Sequence, residues 1–277
     1  MGQSALINVI FKAAEKAARG LIRDFGEVEN LQISRKGVGD FVSNADTDAE
    51  KAIMFELRKA RPDWGFIMEE GGTLPPEDPD GPSWIIDPLD GTTNYLHGIP
   101  HYAISIAAID KPLKKGGKLI AGGIFDPIRN EFFFAEPGKG AFLNDRRIRV
   151  SGRRNMQDSL FATGIPFLGR GDDDLHKTFQ AELGEVMAKT SGVRRFGSAA
   201  LDLAWVAAGR YDGFWEHQLS LWDIAAGVLI VREAGGFVSD FASRDRALQS
   251  GDIVAGNPQT HMGLLKMLKD GRLNASS

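Results

Sequence analysis

The stretch Trp84-Ile85-Ile86-Asp87-Pro88-Leu89-Asp90-Gly91-Thr92-Thr93-Asn94 leaves few ways to fold. Three large apolar residues read as a buried strand that delivers Asp87 at its end. Pro88 cannot continue a ladder, and Asp90 follows where a helix can begin. A strand-to-helix corner of this kind aims both carboxylates into one space. The N–H groups of Gly91, Thr92 and Thr93 then point outward, which suits an anion. Carboxylates beside an anion make sense chiefly with cations between them, so the pattern points to metal-assisted phosphate chemistry. The plainer reading is an Asp-Pro turn followed by a helix cap, which accounts for one aspartate but not for two plus Gly-Thr-Thr.

Around this corner the apolar pattern switches between helical and strand periods. Leu6, Val9, Ile10, Ala13, Ala17, Leu21, Ile22 and Phe25 form a 3.6-residue stripe, which predicts a helix over residues 4–29. A second helix is expected over 44–61, with Ile53, Met54 and Leu57 on its inner side. Short apolar runs at 84–86, 102–109, 119–125 and 132–134 read as strands. The second half offers two alanine-rich helices, 198–209 and 221–234, with strands at 213–216, 237–241 and 253–255. A last helix over 258–269 opens with Asn257 as cap and Pro258 at its first position. Helices and strands come in runs as well as alternating, so the expected fold is α/β of the layered α+β kind rather than a doubly wound sheet. The 277 residues suit a single domain, with an N-terminal α+β part (about 1–150) and a C-terminal α/β part (about 151–277). The Pro/Glu/Asp-rich segment 71–82 reads as a linker too short to separate domains.

Composition narrows the chemistry. The chain has no cysteine, which excludes disulfides, thiol nucleophiles and thiolate metal sites. Its five histidines read as ordinary surface or core residues rather than metal ligands, which argues against zinc hydrolysis and nucleophilic triads. With 33 basic and 37 acidic residues the net charge is −4, which gives no long-range attraction for nucleic acid or an anionic membrane. No apolar run approaches the ~18 residues of a membrane helix. Lys12, Glu15 and Lys16 interrupt any secretory h-region, so a cytoplasmic protein is expected.

Further acids accompany Asp87 and Asp90. Glu69 and Glu70 follow the apolar pair Phe66-Ile67, so one of them sits at a strand end, unless both merely open a solvated loop. Asp40, Asp46 and Asp48 flank a helix start, where the helix dipole alone would favour them. Asp223 fits a capping box with Ser220, yet the helix it opens is too apolar for the surface. That places the carboxylate at a buried end, where a cation would offset its cost. A donor set made only of oxygen selects hard ions, Mg²⁺ before Mn²⁺ or Ca²⁺.

Three segments in this order resemble the inositol monophosphatases of the Mg²⁺-dependent, lithium-sensitive sugar-phosphatase superfamily, especially their bacterial branch. They are Asp40-Phe41-Val42-Ser43-Asn44-Ala45-Asp46, the stretch 84–94, and Trp222-Asp223 running to Glu233-Ala234-Gly235-Gly236. Ser43 stands where Thr is usual and Tyr95 where Phe is usual, and neither removes a ligand. The resemblance covers nearly the whole chain and implies an α-β-α-β-α sandwich, a homodimer and hydrolysis of a small-molecule phosphate monoester. It assigns Glu69, Asp87 and the Leu89 carbonyl to a first Mg²⁺, and Asp87, Asp90 and Asp223 to a second, with a weaker third near Glu69. It gives the phosphate to the amides of Gly91 and Thr92, and the activation of the attacking water to Asp46 and Thr92 with the metals. Ala199, Glu216, Asp223 and Arg194 are implied to face the polyol, within segments around Gly197-Ser198-Ala199-Ala200 and Phe214-Trp215-Glu216.

The implied activity is hydrolysis of inositol monophosphate or a similar polyol phosphate. Relatives acting on fructose 1,6-bisphosphate, histidinol phosphate or a 3′-phosphoadenosine nucleotide share the metal motifs and remain alternatives. A regulatory role on RNA polymerase or RNA is the alternative of another class, carried by Arg146, Arg147, Arg149, Arg153 and Arg154 with Arg194 and Arg195 elsewhere. The plainer reading of that basic run is a charged strand edge that resists aggregation. Asp172-Asp173-Asp174 reads as an exposed loop.

Overall fold

Two periodicities build two kinds of layer. The structure, a computed structural model, describes residues 4–25, 33–37, 40–167 and 171–275, with side chains described except at 33–37, 40–43, 274 and 275. The first half contains α1 (Ala5–Phe25), β1 (Ile33–Gly37), β2 (Asp40–Ser43), α2 (Asn44–Ala60), β3 (Gly65–Met68), β4 (Gly72–Leu74) and β5 (Ser83–Asp90). It continues with α3 (Thr92–Leu96), β6 (Ala103–Ile109), β7 (Leu119–Asp126), β8 (Glu131–Glu136), β9 (Gly140–Leu143) and β10 (Arg146–Ile148). Then follow β11 (Leu160–Thr163), α4 (Asp173–Lys189), β12 (Gly192–Arg194), α5 (Ala199–Ala207) and β13 (Gly213–Glu216). The chain closes with α6 (Leu221–Glu233), β14 (Phe237–Ser239), α7 (Ala247–Ser250), β15 (Ile253–Gly256) and α8 (Pro258–Ala275).

Eight strands form a sheet in the order β10-β9-β8-β7-β6-β5-β3-β4, and five form a second in the order β12-β11-β13-β15-β14. The central strands of the large sheet are covered on both faces, and their side chains divide with period two. Trp84, Ile86, Tyr102, Ile104 and Ile106 face α1 and α2, whereas Ile85, Ala103, Ala107 and Ile109 face α5 and α6. Each large apolar side chain sealed in this way contributes about 1.5–3 kcal/mol. The small sheet meets α5 on one side and α4 with α8 on the other, where Phe161, Phe179, Trp215, Val254 and Leu264 make a third core. The result is the α-β-α-β-α layering expected from the sequence.

The middle helical layer is thin because its contacts are small. A Cβ on Gly122 of β7 would lie 3.1 Å from the Ala226 Cα, and one on Gly227 would lie 2.6 Å from the Leu203 Cβ. Glycine thus lets α6 lie directly on the sheet and on α5. That close fit brings the N-terminal ends of both helices to the end of β5.

Two expectations change. Segment 71–82 is not a linker: β4 pairs antiparallel with β3 at the sheet edge, after a turn in which Gly72 has φ of 71°. The run 172–174 is not a loop but the start of α4: the Asp172 side chain accepts from the Leu175 N–H at 2.8 Å, and Asp173 and Asp174 occupy the first turn. Acidic residues are stabilised there by the helix dipole. The first helix is described from Ala5 to Phe25, and residues 26–29 of its expected span lie outside the described residues.

Candidate active site

Strand β5 presents its acids in a way a regular strand could not. Side chains three residues apart on a strand point to opposite faces. Asp87 pairs with Ser105 and Asp90 with Ala103, so a three-residue step on β5 matches a two-residue step on β6. The extra residue is a bulge that returns both carboxylates to one face, and Pro88 sits in it, where no ladder N–H is required. The expected strand end at Asp87 is therefore corrected: pairing resumes at Asp90. Gly91 then turns the chain with φ of 101°, where a Cβ would meet the His101 carbonyl oxygen at 3.0 Å, and α3 begins. The Asp87 Oδ1 accepts from the Leu89 N–H at 3.0 Å, which fixes the turn.

The face shared by these acids is the one Ile85 shows to the middle layer. There α6 arrives, with the Trp222 carbonyl accepting from the Ser105 hydroxyl at 3.2 Å. Asp223 lies in the first turn and its Oδ2 accepts from the Ser220 N–H at 2.8 Å, in the capping box expected from the sequence. Full burial begins only at Ile224, so Asp223 is half-buried rather than sealed as the apolar helix suggested. The start of α5 arrives beside it: the Asp90 Oδ2 accepts from the Ser198 hydroxyl at 2.6 Å and the Ala200 N–H at 2.7 Å.

From the other side, the first turn of α2 supplies Asp46, 1% exposed. The Thr92 hydroxyl lies 3.2 Å from the Asp46 Oδ2 and 2.9 Å from the Leu89 carbonyl oxygen. It has one proton, so it serves one of them at a time. Strand β3 ends just before Glu69 and Glu70, and carboxylate oxygens of Asp46, Glu69 and Glu70 lie within 4.8 Å of one another. Glu70 joins a cluster for which the sequence nominated Glu69. The Glu50 Oε2, reaching from α2, accepts from the Glu70 N–H at 2.9 Å. The Asp40 side chain lies outside the described residues.

Asp87 is 1% exposed. Burial holds its pKa well above the usual carboxylate range, and Glu69, Asp90, Asp223 and Asp46 push it the same way. A sealed carboxylate among like charges is costly unless a cation joins it. The donors are carboxylates with a main-chain carbonyl beside them, a set that fits a hard divalent ion. Among the described histidines, His97 is exposed, His217 holds Glu182, and His261 lies 2.9 Å from the Ser239 hydroxyl. His101 is buried, and desolvation, with Arg129 adding to it, lowers its pKa to about 4.

The residues expected on the polyol side lie on the C-terminal half. Ala199 opens α5, and Glu216 ends β13 with its carboxyl over Gly164, where a Cβ would fall 2.0 Å from the Glu216 Cδ. Arg194 is exposed on edge strand β12 and turns its guanidinium to the Val193 carbonyl at 3.2 Å. Asp202, which the sequence reading passed over, is fully buried on α5; its only signal was a charge inside an alanine-rich helix. The structure thus gathers Asp46, Glu69, Asp87, Leu89, Asp90, Thr92 and Asp223 around one corner, with α5 linking it to Ala199.

A sequence model of the inositol monophosphatase family matches residues 3–272. An inositol-1-monophosphatase of Mesorhizobium japonicum is 56% identical over 269 residues, covering 97% of this chain and 98% of that protein. The crystal structure of the extragenic suppressor protein SuhB from Bartonella henselae matches with a TM-score of 0.91 at 54% identity, covering 97% of this chain and 100% of that one. A Nus factor SuhB of Pseudomonas aeruginosa is 43% identical over 265 residues, 95% of this chain and 96% of that protein. Matched from end to end in sequence and in layering, the chain belongs to the inositol monophosphatase family.

Proposed function

We propose that this protein is a metal-dependent phosphomonoesterase that hydrolyses inositol monophosphate, or a similar small polyol phosphate, to the alcohol and phosphate. The observation that carries this reading is Asp87, sealed from solvent and ringed by Asp46, Glu69, Asp90 and Asp223. Glu69, Asp87 and the Leu89 carbonyl would hold one Mg²⁺, and Asp87, Asp90 and Asp223 a second. A third would sit near Glu69, where Glu70 is also in reach. Such ions offset charge on phosphoryl oxygens and acidify a water.

The chain's own groups do the rest. Asp46 and Thr92 orient the attacking water, and its proton leaves toward the Asp46 carboxylate. Attack runs in line at phosphorus, the bond to the alkyl oxygen breaks, and the departing alkoxide takes a proton from a second water. The amides of Gly91 and Thr92, which have no intrahelical partner at the start of α3, donate to the phosphoryl group. Ala199, Glu216, Asp223 and Arg194 face the polyol; the carboxylates accept from its hydroxyls and repel a second phosphate. The single domain then has a working division, with the phosphate and all the metal ligands but Asp223 on the part spanning about 1–150 and the polyol largely on 151–277. Phosphate release from inositol 1-phosphate with Mg²⁺, without it, and with added Li⁺ tests the reading. No turnover of any inositol monophosphate would sink it. A higher kcat/KM for fructose 1,6-bisphosphate, histidinol phosphate or a 3′-phosphoadenosine nucleotide would redirect it. The active form is a homodimer in this reading, and light scattering that gives a monomer would remove that part.

One observation favours a second role, on RNA polymerase or RNA: a relative 43% identical is named a Nus factor. Arg146 and Arg147 are exposed on β10, an edge of the large sheet, which also suits a strand guarded by charge. Capture of RNA polymerase by Asp90→Asn with phosphatase activity gone would establish a separate role, and no capture would dismiss it.

A further inference from the structure

Helix α5 carries a buried acid that the reaction above does not use. Asp202 is 1% exposed, and neither of its carboxyl oxygens has a hydrogen-bond partner among the described residues. A polar group left so costs stability, and its presence asks for a reason.

The surroundings supply one. Asp202 lies one helical turn beyond Ala199 on the same side of α5, and side chains on a helix lean toward its N-terminus. Here that end is Ser198 and Ala200, which hold Asp90. The flank of α5 packs against β13, whose last residue is Glu216. The buried Tyr211 hydroxyl also lacks a partner among the described residues; its ring packs 5.4 Å from Trp205, which is one turn beyond Asp202. Burial is the main force raising the pKa of Asp202 and so favouring its uncharged form, Glu216 and Asp90 reinforce it, and Arg195 opposes it. An uncharged acid has an O–H to give and an oxygen that accepts. An internal water needs about two to four polar partners, and Asp202, Tyr211 and Glu216 can provide them.

We propose that Asp202 is a positioning residue for polyol recognition: it donates through an internal water to the Glu216 carboxylate and fixes the direction in which Glu216 accepts from substrate hydroxyls. This rests on the reading of Glu216 as a polyol contact, which Glu216→Gln tests by itself. If that variant leaves KM for inositol 1-phosphate unchanged, the reading of Glu216 falls and the role of Asp202 falls with it.

With Glu216 upheld, Asp202 is tested separately. Asp202→Leu raises KM for inositol 1-phosphate about tenfold while kcat stays within about twofold. The same variant changes kcat/KM for 4-nitrophenyl phosphate, which offers Glu216 no hydroxyl, by less than about twofold. Asp202→Asn keeps a donor and restores KM to within about threefold of wild type. On the Glu216→Gln background, Asp202→Leu adds less than about twofold, because both act on one contact. Equal damage from Asn and Leu, equal loss on both substrates, or full additivity would each overturn the proposal. Should the leucine variant fail to fold, difference infrared between wild type and Asp202→Asn at about pH 7 decides. A protonated-carboxyl C=O band missing from the asparagine variant is expected, and its absence from wild type overturns the assignment.

Discussion

Glu182 and Asp87 are both sealed inside the molecule, at 0% and 1% exposure, and their neighbours carry opposite charge. Glu182 on α4 meets the His217 Nε2 at 2.8 Å on one oxygen and the Arg272 Nε at 2.8 Å on the other. Phe241 joins the two partners, with His217 stacked on it at 4.1 Å and the Arg272 guanidinium 4.6 Å from its ring centre. Asp126 and Asp212 are treated likewise, with Arg129 at 2.8 Å and Arg153 at 3.3 Å. Around Asp87 stand Glu69, Asp90, Asp223 and Asp46 instead. Where a buried acid serves the fold, the chain brings the cation itself. At Asp87, in the reading proposed above, that charge would be left to an ion from solution.

Asp87→Asn breaks this contrast most severely. With saturating Mg²⁺, kcat for inositol 1-phosphate is expected to fall about a thousandfold, measured by steady-state phosphate release. A variant retaining more than about a tenth of the activity would place the reacting centre elsewhere. Glu182→Ala probes the other acid and deprives the half-buried His217 and Arg272 of their shared partner. Urea unfolding should show a loss of about 3 kcal/mol, and a loss under about 1 kcal/mol would mean that His217 and Arg272 find other partners. Stability also separates the two sites by sign. In chelator, Asp87→Asn relieves like-charge crowding and should be more stable than wild type by about 1 kcal/mol. Added Mg²⁺ then raises the melting temperature of wild type more than that of the variant. A variant less stable than wild type in chelator would show that Asp87 is compensated by the chain.

Much of this was legible in the sequence, for reasons specific to particular residues. Leu6 through Phe25 and Leu221 through Ala234 announce their helices because one carries a stripe and the other is apolar all round. Asp87 and Asp90 stand out because two acids after an apolar strand have no purely structural account. The bulge that makes them neighbours was not readable, since it depends on register with Ser105 and Ala103. The helix α4 was missed because its acidic cap looks like a loop when the apolar partners on α8 are far away in sequence. Glu70 was named without a role of its own and Asp202 was missed, because their meaning lies in what surrounds them, Glu69 with Asp46 in one case and Glu216 in the other. Side-chain type and period foretell elements, whereas register and burial decide which charges meet.

The smallest expected effect, that of His217, has its size set by pH. Burial alone would lower the pKa of His217, but hydrogen bonds to Asp252 and Glu182 outweigh it and the net shift is upward. A proton held more tightly in the folded chain than in the unfolded one stabilises the fold. That contribution is complete below the ordinary histidine value of about 6.5 and is lost as pH rises through the raised value. Urea unfolding of wild type and His217→Gln should therefore differ by about 1 kcal/mol at about pH 6, with the gap narrowing by about pH 9. A gap independent of pH would mean that stacking on Phe241 and a neutral hydrogen bond account for it. Asp87 imposes a slope of the same sign on the metal-free protein, because an acid with a raised pKa also stabilises the fold only while it keeps its proton. Mg²⁺ separates the two contributions. A cation bound at Asp87 would take the place of its proton and leave His217 untouched, so the slope that survives saturating Mg²⁺ should be smaller in His217→Gln and unchanged in Asp87→Asn.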